Sequence, residues 1–135
     1  RYNLDPSNHF SNEQCWAALE DAQLKQFVSN HSEGLLMPII ESGRNLSIGQ
    51  CELICIARII LKKSKILLID EATANIDSKT DDVIQAVLKN KFQDRTVLTI
   101  VHRLNTVAQY DRILVLDKGA TVNFDILSDI LQSYS

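Results

Sequence analysis

Lys65-Ile66-Leu67-Leu68-Ile69-Asp70-Glu71 is an apolar run that ends abruptly in two carboxylates. A short, continuous apolar run of this kind predicts a strand covered on both faces, as in a parallel sheet. Open α/β sheets bind ligands at the carboxyl ends of their strands. Asp70-Glu71 is therefore a candidate site. One carboxylate could hold Mg2+ through its water shell, and its neighbour could orient or deprotonate a water. The alternative is a pair of solvated charges where the chain leaves the sheet.

Upstream of this run, Ser47 and Gln50 have capping-box spacing and open a helix. Leu53, Ile56, Ala57 and Ile60 recur at helical spacing and form one buried stripe, which Ile54 and Leu61 widen. Lys62 and Lys63 suit its C-terminal end. The junction Asn45-Leu46-Ser47-Ile48-Gly49-Gln50 admits two readings. A helix N-terminus with a hydroxyl and a glycine suits a phosphate. A plain capping box needs the same residues.

Downstream, Lys79 to Lys91 reads as a helix with Val83, Ile84, Val87 and Leu88 on one side. Thr96 to Val101 reads as a second buried strand, with His102 just past its end. That imidazole could donate to a phosphate oxygen or simply be a polar strand terminus. Arg112 to Leu116 and Thr121 to Phe124 read as strands joined by a turn at Lys118-Gly119, and Ser128 to Gln132 as a short helix. In the first third, Ser11 and Gln14 open a helix through about Ala22. A second helix covers Leu24 to Ser29, and residues 32–45 read as loop. The alternation of strand and helix predicts an α/β fold with a largely parallel sheet.

Composition narrows the function. The chain has 135 residues, 45% hydrophobic and 23% charged, values of a globular domain. Its net charge of −3, without a dense basic run, gives no support to a nucleic-acid partner. Its most apolar stretch, Leu53 to Leu61, is short and broken by Arg58, so any membrane spans are expected outside these residues. Cys15, Cys51 and Cys55 form no spaced framework, and buried cysteines in a reducing compartment are expected in place of a metal site.

Taken together, the motifs resemble those of the ABC ATPases. Leu46-Ser47-Ile48-Gly49-Gln50 resembles the ABC signature, and Lys65 to Glu71 resembles a Walker B strand with its catalytic glutamate. Ala72-Thr73-Ala74-Asn75-Ile76-Asp77 resembles the D-loop that follows, and His102 the switch histidine. Asn3-Leu4-Asp5-Pro6, Trp16 to Glu20, Thr99 to Thr106 and Asp111 to Asp117 are similar to the multidrug-resistance-associated group, subfamily C. Glu71 points to the second nucleotide-binding domain of that group. Ile48 and Cys51 depart from the commonest signature pattern, and no Gly-x-x-x-x-Gly-Lys-Ser/Thr occurs, so the Walker A loop is missing from the sequence.

The resemblance implies the C-terminal part of a P-loop NTPase core. Residues 1–63 form a helical signature subdomain and residues 64–135 the part with Walker B, D-loop and H-loop. It implies head-to-tail pairing with a second nucleotide-binding domain. Leu46, Ser47, Ile48, Gly49 and Gln50 face the partner's ATP. Asp70 helps hold Mg2+, Glu71 polarises the attacking water, His102 stabilises charge on the γ-phosphate, and Asp77 lies at the dimer seam. Such a domain serves the cytoplasmic face of a membrane exporter, together with its transmembrane domains, and the group suggests organic anions or conjugates as cargo. Two alternatives are a DNA-maintenance ABC ATPase, which would need flanking heptad arms not present here, and an inactive truncated fragment. The chain does not begin with Met and reads as a partial piece. On that reading the strands at Ile66 and Thr96 lack part of their cover and expose apolar area.

Overall fold

The computed structural model describes residues 1–70, 76–101 and 107–133. Contacts divide the chain into two compact units, Arg1–Thr99 and Ile100–Ser135. This division concerns compactness, whereas the boundary expected at residue 63 rests on expected roles.

The first unit opens with a loop tied by charge. The buried Asp5 carboxylate accepts from Phe10 N–H at 2.8 Å and pairs with Arg1 at 3.1 Å. Helix α1 (Asn12–Asp21) follows, with a complete capping box between Ser11 and Gln14, and buries Cys15, Ala18 and Leu19. Helix α2 (Lys25–Ser29) is a single short turn that buries Val28. The expected loop contains two 3-10 turns, Gly34–Leu36 and Glu41–Gly43, with Ser42 in the left-handed region at φ 62°.

Helix α3 (Ile48–Lys62) is the spine of this unit. It buries Leu53, Ile54, Ile56, Ala57 and Leu61, so the widened stripe is confirmed while Ile60 lies at its half-buried margin. It ends at Lys63, whose left-handed backbone (φ 52°) closes the helix. One side of α3 packs on α1 and another on helix α4 (Ser78–Lys91), which contributes Ile84, Val87 and Leu88 to the core. The Arg58 side chain donates to the Asn3 carbonyl and binds the opening loop to α3. Lys91 pairs with Asp21 at 2.6 Å where α4 meets α1, though a half-exposed ion pair adds little stability.

Strand β1 (Ile66–Asp70) pairs with β2 (Thr96–Ile100), and α4 is the crossover between them. Thr96 N–H donates to the Lys65 carbonyl at 3.0 Å. That bond joins the leading ends of both strands, as parallel neighbours do. The cover on both faces that the apolar run alone suggests is not observed; the incomplete cover expected of a partial piece is. Leu67 is buried under the helices, but Ile66 is 62%, Leu68 73% and Leu98 57% exposed. An uninterrupted apolar run shows that both faces are apolar; it does not show that both have partners. An exposed apolar face of this kind favours association. The isolated chain is expected to bind a hydrophobic dye and to aggregate on warming. A sharp, cooperative melt of a dye-silent monomer would contradict this.

The second unit contains β3 (Ile113–Asp117) and β4 (Ala120–Asp125), an antiparallel hairpin with Leu114 opposite Phe124 and a register shift between Val115 and Leu116. Lys118 (φ 48°) and Gly119 (φ 79°) form its tight turn with positive φ at both positions, the twist that two-residue hairpins favour. The Arg112 guanidinium stacks 4.0 Å over the Phe124 ring. Helix α5 (Leu127–Ser133) follows β4 and packs on it. No helix among the described residues is long and apolar enough to cross a membrane.

Candidate functional site

The N-terminus of α3 is built by three local interactions. Gln50 N–H donates to Ser47 Oγ at 3.1 Å, and Ser47 N–H donates to Gln50 Oε1 at 2.9 Å. The capping box is thus complete. It consumes the N–H of the third helical residue and leaves those of Ile48 and Gly49 without intrahelical acceptors. Just upstream, Asn45 closes the loop with two bonds, accepting from Ile40 N–H at 3.0 Å and donating to the Pro38 carbonyl at 2.8 Å. Ser47 and Ile48 are exposed, Leu46 and Gln50 are half-buried, and Gly49 is buried.

This arrangement fits an anion. Two backbone N–H groups at the positive end of a helix dipole, beside an exposed hydroxyl that still has its own proton to donate, suit phosphate oxygens. The first turn contains no acidic side chain to oppose one. Gly49 also has a packing role. Its bare Cα faces α4, where an added Cβ would lie 3.3 Å from Thr80 Cβ and closer still to Thr80 Cγ2.

Asp77 is the N-cap of α4. Its Oδ1 accepts from Thr80 N–H at 3.1 Å and its Oδ2 from the Thr80 hydroxyl at 2.7 Å. These two bonds, the hydroxyl first, hold the Asp77 carboxyl below its ordinary value. Asp70 ends β1 with its side chain exposed. Glu71 and His102 lie outside the described residues, as does the segment 72–75.

Asp70 borders a cleft of about 180 Å³ between α3, β1 and α4, lined mainly by apolar side chains such as Ile56, Ile59 and Leu67. Glu52 of α3 also lines it, and burial raises its carboxyl above the ordinary 4.5. The folded chain thus holds a proton there over a pH range where the unfolded chain has lost it. That range starts near 4.5 and extends upward, and stability falls as pH rises through it. Glu52→Gln is expected to raise the melting temperature at neutral pH, with the gain fading below 4.5. A gain that grew with acidity would contradict this assignment.

Sequence reasoning missed Thr80 and Glu52. Thr80 was available as the third residue after a capping aspartate, a local pattern. Glu52 was not, because its burial depends on the cleft. The cysteines also differ from expectation: Cys15 is buried, but Cys51 is half-buried and Cys55 exposed, and all are free thiols. Cys51 and Cys55 fall at the edge of the α3 stripe, where one turn of the helix passes from core to surface.

Comparison with known proteins converges on one family. Residues 3–74 match the family model described as ABC transporter. The chain is 53% identical over 93% of its length to ATP-binding cassette sub-family C member 3 of Mus musculus, and covers 8% of that protein. It is 50% identical over 92% of its length to the probable multidrug resistance-associated protein lethal(2)03659 of Drosophila melanogaster, covering 9% of it. Among solved structures, a bacterial Atm1-family ABC exporter with ATP bound matches 99% of the chain at a TM-score of 0.87 and 32% identity, over 24% of that exporter's chain. The chain therefore spans less than a tenth of the length of the curated relatives named here.

Proposed function

Because the chain belongs to the ABC transporter family, we propose that it forms part of the ATP-binding and ATP-hydrolysing domain of a subfamily C exporter, in the second nucleotide-binding position. The observation that carries this reading is the exposed, fully capped N-terminus of α3, in the same compact unit as the acid-tipped strand β1. The likeness to an exporter with ATP bound supports it.

Two sites divide the work on this reading. At one, the Ser47 hydroxyl and the Ile48 and Gly49 N–H groups contact nucleotide held by a partner domain, with Leu46 and Gln50 fixing the turn. At the other, Asp70 helps hold Mg2+ through water, Glu71 orients and polarises the attacking water, and His102 donates to the γ-phosphate. Bound Mg-ATP would supply the phosphoryl group and the metal charge that screens it. The residues present act by positioning and electrostatics, which dominate phosphoryl transfer. Asp77 sits at the seam between domains. Residues 1–63 pass the closing motion to transmembrane domains at the cytoplasmic face of the membrane, and residues 64–135 belong to the catalytic core. Organic anions or conjugates are the cargo class suggested by the subfamily.

The sequence contains no Walker A loop, whose backbone and lysine supply most phosphate contacts in such domains. The test is ATP hydrolysis by the intact transporter, compared with calorimetry of Mg-ATP on the isolated chain. Turnover by the intact protein and no tight binding by the chain alone are expected. Micromolar binding with turnover by the chain alone, or an intact protein without turnover, would overturn the reading.

A further inference from the structure

Thr80, in the first turn of α4, touches both halves of the site. Its hydroxyl donates to Asp77 Oδ2 at 2.7 Å, and its backbone N–H to Asp77 Oδ1 at 3.1 Å. Its Cβ and Cγ2 fill the space in front of Gly49. Gly49 lies within α3, and its φ is not in the left-handed region. The need for glycine is therefore one of space: any side chain there collides with Thr80. One residue thus belongs to two helix caps. Its hydroxyl completes the cap of α4, and its methyl abuts the capped turn of α3.

We propose that Thr80 is a positioning residue that couples the two nucleotide sites, linking Asp77 through its hydroxyl, and Gly49 through its methyl, to the turn that presents Ser47. The proposal deepens the ABC ATPase reading above and rests on it. A hydroxyl bond to an ionised carboxylate is short and strong, so a displaced Asp77 carries Thr80 with it. Close-packed side chains transmit such a displacement, because no void is available to absorb it. A shift of Asp77 at the seam therefore reaches the N–H groups of α3 through two contacts.

Two substitution experiments in the intact transporter separate the methyl from the hydroxyl. Gly49→Ala overpacks the contact and is expected to lower ATP hydrolysis by about tenfold. Adding Thr80→Ser removes the colliding methyl and is expected to recover most of that loss, in hydrolysis and in melting temperature together. Thr80→Val retains a methyl against Gly49 and the backbone N–H bond to Asp77, and removes only the hydroxyl bond. Nucleotide affinity of each half is expected to change by less than about threefold, while the Hill coefficient for ATP in hydrolysis falls toward unity. Failure of Thr80→Ser to rescue Gly49→Ala, or unchanged cooperativity in Thr80→Val, would overturn the coupling role while leaving the ATPase reading intact. An unsubstituted transporter that does not hydrolyse ATP would overturn both.

Discussion

Glu71→Gln in the intact transporter is expected to lower ATP hydrolysis by at least the ~10²-fold typical of losing a general base, while nucleotide still binds. The substitution preserves the size of the side chain and most of its hydrogen bonding. It removes only the negative charge that would polarise a water. Contacts to the phosphates come from other groups, so affinity should survive and the closed pair of domains should accumulate. Steady-state turnover and equilibrium binding, measured on the same preparation, check this. Turnover near that of the unsubstituted protein would return Asp70-Glu71 to a polar strand end.

Ser47→Arg is expected to fail in a different way. Ser47 is exposed at the N-cap of α3, and its Oγ accepts from Gln50 N–H. Losing such a cap costs about 1 kcal/mol of stability. The added cation also sits at the positive end of the helix dipole, where charge of that sign is unfavourable. Its bulk would stand between the Ile48 and Gly49 N–H groups and the partner's nucleotide. Hydrolysis should fall by about tenfold or more because closure is obstructed, and the closed pair should not accumulate. Domain cross-linking in the presence of Mg-ATP distinguishes the two variants. Accumulation of a closed pair in Ser47→Arg would place the signature turn elsewhere.

How much of this was readable from residue order varies with the range of the interaction. Ser11–Gln14 and Ser47–Gln50 were recognised as capping boxes, and both have complete reciprocal bonds. Each lies within one helical turn, so local chemistry decides it. The α3 stripe was readable for the same reason, since periodicity reports which face is apolar. The hairpin was readable from Lys118-Gly119, whose positive φ values its turn requires. The uncovered face of β1 was not readable from Ile66 to Ile69 alone, because neighbours decide cover. Nor was the packing constraint on Gly49. Its partner Thr80 is remote in sequence, and only the packing of α3 on α4 brings them together. The candidate site residues were singled out by the order of their motifs, since each motif alone admits a plain structural explanation. Asp77 caps α4 by its own bonds and remains exposed.

The central claim is that this chain contributes its carboxylates to one nucleotide and its signature turn to another. The most direct measurement is site-resolved nucleotide trapping in the intact Glu71→Gln transporter, with the species bound to each half identified after rapid isolation. Unhydrolysed ATP is expected to be retained on the half that contains this chain, and that trapping is expected to be lost when Ser47→Arg is added. ADP recovered from that half at the level of the unsubstituted protein would contradict it.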